Sequence, residues 1–196
     1  MASDTRPMIL ETLLSRRSVP ALLLGEPGPS AAEIHAALEA AARAPDHGAL
    51  RPWRFVLIRE AAARARLSEL FVTRMLERDP DTPPKKVDKA RNMPLTAPLV
   101  IAVAAHLHPG HKVPELEQML STGAAVMNLL NAFHAQGYGA IWLTGGNAYD
   151  PQIGARLGFS PEERSLGFVY VGSAQADLRE GPRRAEPGAI AREWNG

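Results

Sequence analysis

Cysteine is missing altogether from the 196 residues. That excludes disulfides, a thiol nucleophile and cysteine metal ligands, and makes a reducing cytoplasm the expected compartment. Net charge is nearly missing too: 22 Lys and Arg stand against 21 Asp and Glu, a formal +1 at pH 7. The basic residues are scattered with acids between them, so no nucleic-acid partner is expected. No apolar run approaches the roughly eighteen residues a spanning helix needs, so no membrane association is expected either. The opening residues, MASDTRPMILETLLSRRSV, lack a secretory signal's order of basic start, apolar middle and small-residue cleavage site.

What is present fits one folded domain over 1–196. Hydrophobic residues make up 45% and charged residues 22%, close to the globular average. Ile9, Leu10, Leu13 and Leu14 share one face of a short helix that runs into Arg16 and Arg17. Ser30 and Glu33 form a capping box, predicting a helix from about Ala31 to Ala44 that Pro45 stops. Residues 54–58, 98–105, 139–143 and 167–172 are short apolar runs with β-branched residues, as expected of strands covered on both faces. Leu67, Leu70, Phe71 and Met75 mark a further helical face. Residues 115–137 read as a long helix, apolar around much of its circumference and therefore buried, with Gly123, Ala124 and Ala125 allowing a second helix close approach. Ser160-Pro161-Glu162-Glu163 reads as a second helix start. The charged, proline-rich stretch at about 79–94 reads as a mobile excursion, and a tail begins at about 175. This order of elements is α+β, without regular βαβ alternation.

Three familiar templates do not occur: no G-x-G-x-x-G after a strand, no phosphate-binding G-x-x-x-x-G-K-[ST] and no G-x-S-x-G elbow. Four weaker signals remain. Arg16, Arg17 and Ser18 end the first helix, where two guanidiniums and a hydroxyl can hold a phosphate or simply complement the helix dipole. In ARAPDHGALRPW, Arg43 and His47 flank a Pro-Asp turn that equally suits a solvated connection. GAIWLTGGN puts Trp142, Leu143 and Thr144 at a strand end, before two glycines that let a ligand approach the backbone. HLHPGH gathers His106, His108 and His111 without a carboxylate in the segment, so it does not by itself define a metal sphere.

Taken together, R-R-S after the first helix, R-A-P-D-H-x-x-x-x-P-W, HKVPELEQMLSTGAAVM and G-x-G-x-I-W-x-T-G resemble the FMN-dependent nitroreductase family, most closely its compact bacterial YdjA-type branch, from about Leu10 to Gly172. The resemblance implies an α+β fold with a central mixed sheet flanked by helices, and an obligate homodimer with two FMN molecules at the subunit interface. It implies that Arg16, Arg17 and Ser18 grip the phosphate and polar edge of the flavin, that Arg43 and His47 add contacts, and that Trp142, Leu143 and Thr144 lie along the ring. It further implies hydride transfer from NADH or NADPH to flavin N5, then electron transfer to a small acceptor such as a nitroaromatic or quinone in ping-pong fashion, with no side chain as acid or base.

Three departures stand out. Leu143 replaces the branch's arginine, Val19-Pro20 follows R-R-S where a basic residue is common, and a phosphate contact from Arg183 or Arg184 rests on an unaligned tail. The first motivates an alternative, a flavin-binding or storage module without useful turnover. A histidine-based metal hydrolase using HLHPGH is a third reading.

Overall fold

The apolar runs do become strands; Leu99–His106 and the middle of Glu163–Ala174 are covered on both faces, while Trp53–Ile58 and the end of Gly139–Leu143 stay partly exposed. A computed structural model describes residues 7–176 and 184–196. The elements are α1 (Met8–Ser15), β1 (Leu24–Gly25), α2 (Ala31–Ala41), β2 (Trp53–Ile58), α3 (Ala61–Arg78), α4 (Pro84–Thr96), β3 (Leu99–His106), α5 (Glu115–Ala135), β4 (Gly139–Leu143), α6 (Pro151–Arg156), β5 (Glu163–Ala174) and α7 (Pro187–Ile190). The 12-residue β5 is the spine of the sheet: β3 pairs along one edge and β4 along the other, β1 adds a short pairing at Ser173 and Ala174 near its end, and β2 pairs with β3.

Every pairing between these strands is antiparallel, and the parallel component of the sheet among the described residues is the single bridge from Ser18 to Ala140.

Strand β3 shows why its run is continuous. Val100, Ala102 and Ala104 face Leu67, Phe71 and Val72 of α3 and Ala90 of α4, together with Phe168 and Tyr170 of β5. Leu99, Ile101 and Val103 face the opposite way, toward Ile34 and Ala37 of α2 and Val126, Leu129 and Phe133 of α5. Helices on both sides leave no face for polar residues, and each large side chain buried there contributes roughly 1.5–3 kcal/mol.

The capping box starts α2 as the sequence predicts: Glu33 N–H donates to Ser30 Oγ (3.3 Å) and Ser30 N–H donates to Glu33 Oε2 (2.7 Å). The Ser160 segment departs from expectation. Glu163 accepts from Ser160 N–H (3.0 Å), but Ser160 Oγ donates to Glu162 instead of receiving an N–H, so the segment closes a turn into β5 and no helix forms. Residues 84–96, expected as part of a proline-rich excursion, form α4, with Pro84 in its first turn and Ala90 and Pro94 buried. Apolar side chains at Val87, Ala90 and Met93 recur at helical spacing and pack on the core beside α3, which outweighs the prolines.

The first helix forms where expected, with its apolar face unburied, and the fifth differs from expectation. No residue of α1 is buried, and Met8 and Ile9 are 83% and 77% exposed. On α5, Leu116 and Leu120 are 62% and 63% exposed and Met127 is 43% exposed, so the long helix is buried on one side only. Nothing lies within 4 Å of where a side chain on Gly123 would begin.

Candidate functional site

The predicted site residues fall into three groups, and one chain does not bring all three together. The first group gathers where α1 ends beside the C-terminal end of α5. Ser18 bridges Ala140 and Val19 N–H donates to Ala140 O (3.0 Å), holding this segment against β4. Gly139 permits that approach: a Cβ there would stand 2.8 Å from Leu24 and 2.9 Å from Val19. Arg184 Nη2 donates to Arg16 O (2.8 Å), and Ser15 Oγ lies 3.0 Å from His134 Nε2.

The electrostatics of this corner are one-sided. Burial, and then the neighbouring Arg184 charge, push the Arg16 guanidinium below its ordinary value. Burial, Arg16 and Arg17 likewise push His134 down, keeping it neutral at neutral pH. Arg17 and His134 line a depression of about 200 Å³ with Gly137, Tyr138 and Gly139, and no carboxylate lines it. Cations without a lining acid suit an oxyanion, and guanidinium planes match a phosphate in bidentate fashion. Arg183, also considered as a phosphate contact, lies outside the described residues.

The second group sits near the other end of α5. Asp46 explains its place in the motif by accepting from Leu50 N–H (3.2 Å) and Arg51 N–H (2.8 Å), which closes the turn. Ser121 Oγ donates to Pro45 O (2.7 Å), pinning that turn to α5. His47 Nδ1 pairs with Glu117 Oε2 at 2.7 Å, and Arg43 is exposed. Arg54 is structural: it pairs with Glu163 (3.0 Å) and donates to Arg51 O and Trp53 O. His134 and Glu117 are seventeen residues apart on one helix, so at ~1.5 Å per residue the two groups are separated by about 25 Å.

The third group ends β4. Trp142 Nε1–H donates to Leu166 O (3.0 Å), and Leu166 is the extra residue where the β3–β5 register slips. Gly167, at φ +124°, is required beside it, because a Cβ would stand 2.5 Å from Leu143 O. Leu143 turns toward the core face shared with α3 and α4, while Thr144 and the two following glycines are exposed.

Sequence reasoning missed what fixes the loop after this strand. Asp150, with its side chain 1% exposed, accepts from Arg74 Nε (3.0 Å) and from Arg78, and Arg78 also reaches Asn147. Burial alone would raise the Asp150 carboxyl, but hydrogen bonds from Arg74, Gln152 N–H and Arg78 hold it below its ordinary value. The Asp150-Pro151 helix start is legible in the sequence; its arginine partners, more than seventy positions upstream, are not.

The three histidines of HLHPGH do cluster, with ring centroids 4.8 and 6.4 Å apart, but His111 Nδ1 accepts from Val113 N–H. Among the described residues no group of three or more His, Asp or Glu is placed to hold a metal, and no helix is long and apolar enough to cross a membrane.

An α+β sheet between helical layers, with an arginine-bearing depression against β4 that no carboxylate lines, defines the kind of protein. Residues 13–173 match the profile of the Nitroreductase family, and the chain belongs to that family. It is 40% identical over 166 residues to the Escherichia coli K12 protein named "Putative NAD(P)H nitroreductase YdjA", covering 85% of this chain and 88% of that one. A nitroreductase-like family protein from Bacillus cereus shares the fold over the whole of both chains at a TM-score of 0.83 and 22% identity. A Bacteroides fragilis nitroreductase with bound FMN shares it over 96% of this chain and all of its own, at a TM-score of 0.75 and 20% identity.

Proposed function

We propose that the protein is an FMN-dependent oxidoreductase that accepts hydride from NADH or NADPH and passes electrons to a small acceptor, such as a nitroaromatic or quinone, in two successive half-reactions. The observation that carries this reading is the corner formed by Arg16, Arg17 and Arg184, where burial and the Arg184 charge push Arg16 down, burial with Arg16 and Arg17 pushes His134 down, and no carboxylate lines the depression beside Arg17 and His134. Its donor chemistry fits a flavin's dianionic phosphate. Bound FMN has been seen in a protein of this fold, and a close relative carries an NAD(P)H nitroreductase name.

Within this reading, bound FMN supplies the hydride-accepting and electron-donating centre. Arg16 and Arg17 neutralise the phosphate, Ser18 donates at the polar edge of the ring, and Thr144 and Gly145 leave the end of β4 open to it. Arg43 and His47 complete the site from a second copy of the chain, because in one chain they lie about 25 Å from Arg16 along a 21-residue helix. Two α5 helices crossing about a two-fold axis bring opposite ends together. The exposed apolar side chains of Met8 and Ile9 on α1 and of Leu116, Leu120 and Met127 on α5 supply a self-complementary face for that packing. A homodimer in the cytoplasm is therefore part of the proposal.

Half-buried Leu143 offers no cation to the ring, which favours a second reading, a flavin-binding protein with little turnover. The visible spectrum of the purified protein, before and after anaerobic NADH or NADPH, separates the two. Flavin bands that bleach support the oxidoreductase. Bands that persist favour the binding module, and a colourless protein that refuses added FMN overturns both.

A further inference from the structure

Beyond the end of β4, between α3 and α4, lies a cavity of about 340 Å³, the size of a small-molecule site. Phe71 and Met75 of α3, Met93 of α4 and Phe168 of β5 give it apolar walls, and the Gly145–Gly146 backbone forms the side next to Thr144. That side is held in place by Arg78, which bonds Asn147 and Asp150 at once.

Two kinds of polar group interrupt the apolar lining. Lys86 and Lys89 lie on the face of α4 that also carries Ala90 and Met93, at helical spacing, and all four border the cavity. Both ammonium groups are exposed, and neither has an acidic partner among the described residues. Tyr170 is 1% exposed and lines the cavity, yet its hydroxyl has no hydrogen-bond partner among the described residues. The hydroxyl keeps a trace of accessible surface at the cavity, where a tyrosine hydroxyl usually takes a partner. Burial alone pushes this phenol up, so it stays protonated and available as a donor.

We infer that this cavity binds a small aromatic acid, its ring between Phe71, Met75, Met93 and Phe168, its carboxylate at Lys86 and Lys89, and a further oxygen accepting from the Tyr170 hydroxyl. Naming that acid as the electron acceptor rests on the proposed flavin chemistry, because the cavity opens beside Leu143 and Thr144; the binding itself does not.

Titration calorimetry of 4-nitrobenzoate and its neutral methyl ester into the purified protein tests the inference. The acid is expected to bind about 10-fold tighter than the ester, by the worth of a charge-assisted hydrogen bond, and the advantage shrinks with added salt. K86Q/K89Q removes that advantage while leaving ester affinity in place. Tyr170→Phe, which keeps the packed ring, weakens acid and ester alike by about 2- to 10-fold. Equal affinities in the unaltered protein, or an acid preference that survives K86Q/K89Q, overturns the assignment. Anaerobic NADH bleaching of the unaltered protein is read separately. Flavin that fails to bleach, alongside lysine-dependent 4-nitrobenzoate binding, sinks the oxidoreductase reading and supports the acid site.

Discussion

Arg16 is where a single side chain has the clearest consequence. It is crowded by Arg184 and partly desolvated, so an arriving phosphate relieves repulsion as well as adding bonds. Arg16→Ala is expected to weaken FMN binding by about 1.5–3 kcal/mol, measured by fluorescence titration of flavin into stripped protein. Unchanged affinity places the phosphate elsewhere. His134 reports on the same event. Its proton is held off by burial and by Arg16 and Arg17, so the folded state takes up a proton less readily than the unfolded chain. Stability is therefore intact above the ordinary histidine value of 6.5 and erodes as pH falls through it toward the lowered one. A dianion at the arginines cancels part of their repulsion. The His134 ring resonance, followed by NMR against pH, is expected to titrate higher with FMN than without, and identical curves argue against phosphate binding in this corner.

Among the elements, α3, α6 and the loop that follows β4 are joined through Asp150 and Arg78. The carboxylate caps α6 by accepting from Gln152 N–H (2.8 Å) and neutralises two guanidiniums of α3. Asp150→Ala leaves Arg74 and Arg78 without that partner beside the core. A loss of about 3 kcal/mol in chemical denaturation is expected, at the low end for one-sided removal of a buried pair because both arginines keep contact with water. Since the folded carboxyl titrates below its ordinary value, the stabilisation is present above about pH 4 and is lost as pH falls through the folded value. The variant is accordingly expected to show a flatter acid limb; an unchanged one means the ion pairs contribute little. Helix α4 teaches a related lesson. Its prolines read as a break, yet Pro84 occupies a first-turn position where the missing N–H costs nothing, and the core packing of Ala90 and Pro94 decides the rest.

At the scale of the whole molecule, the exposed apolar faces of α1 and α5 and the divided site point to a second copy. Light scattering is expected to give twice the chain's 21.1 kDa. Leu120→Asp puts a charge at the centre of the proposed contact and is expected to give a monomer that no longer retains FMN, because Arg43 and His47 leave the partner's site. A Leu120→Asp dimer with normal flavin content argues for another interface.

The sequence by itself determined the elements whose signals are local. Apolar runs without polar alternation specified the covered strands, Ser30 and Glu33 specified the start of α2, and the spacing of R-R-S, R-A-P-D-H and I-W-x-T-G specified the family. Local chemistry carries these because each involves residues within a few positions of one another. Tertiary structure alone decided that Arg16 and His47 stand at opposite ends of α5, that α1 presents an apolar face with no residue buried, and that Asp150 meets Arg74 and Arg78. It also decided that an unpartnered Tyr170 shares a cavity with Lys86 and Lys89. Those are contacts between segments tens of residues apart, fixed by how two helical layers close on one sheet, and no pattern along the chain encodes them.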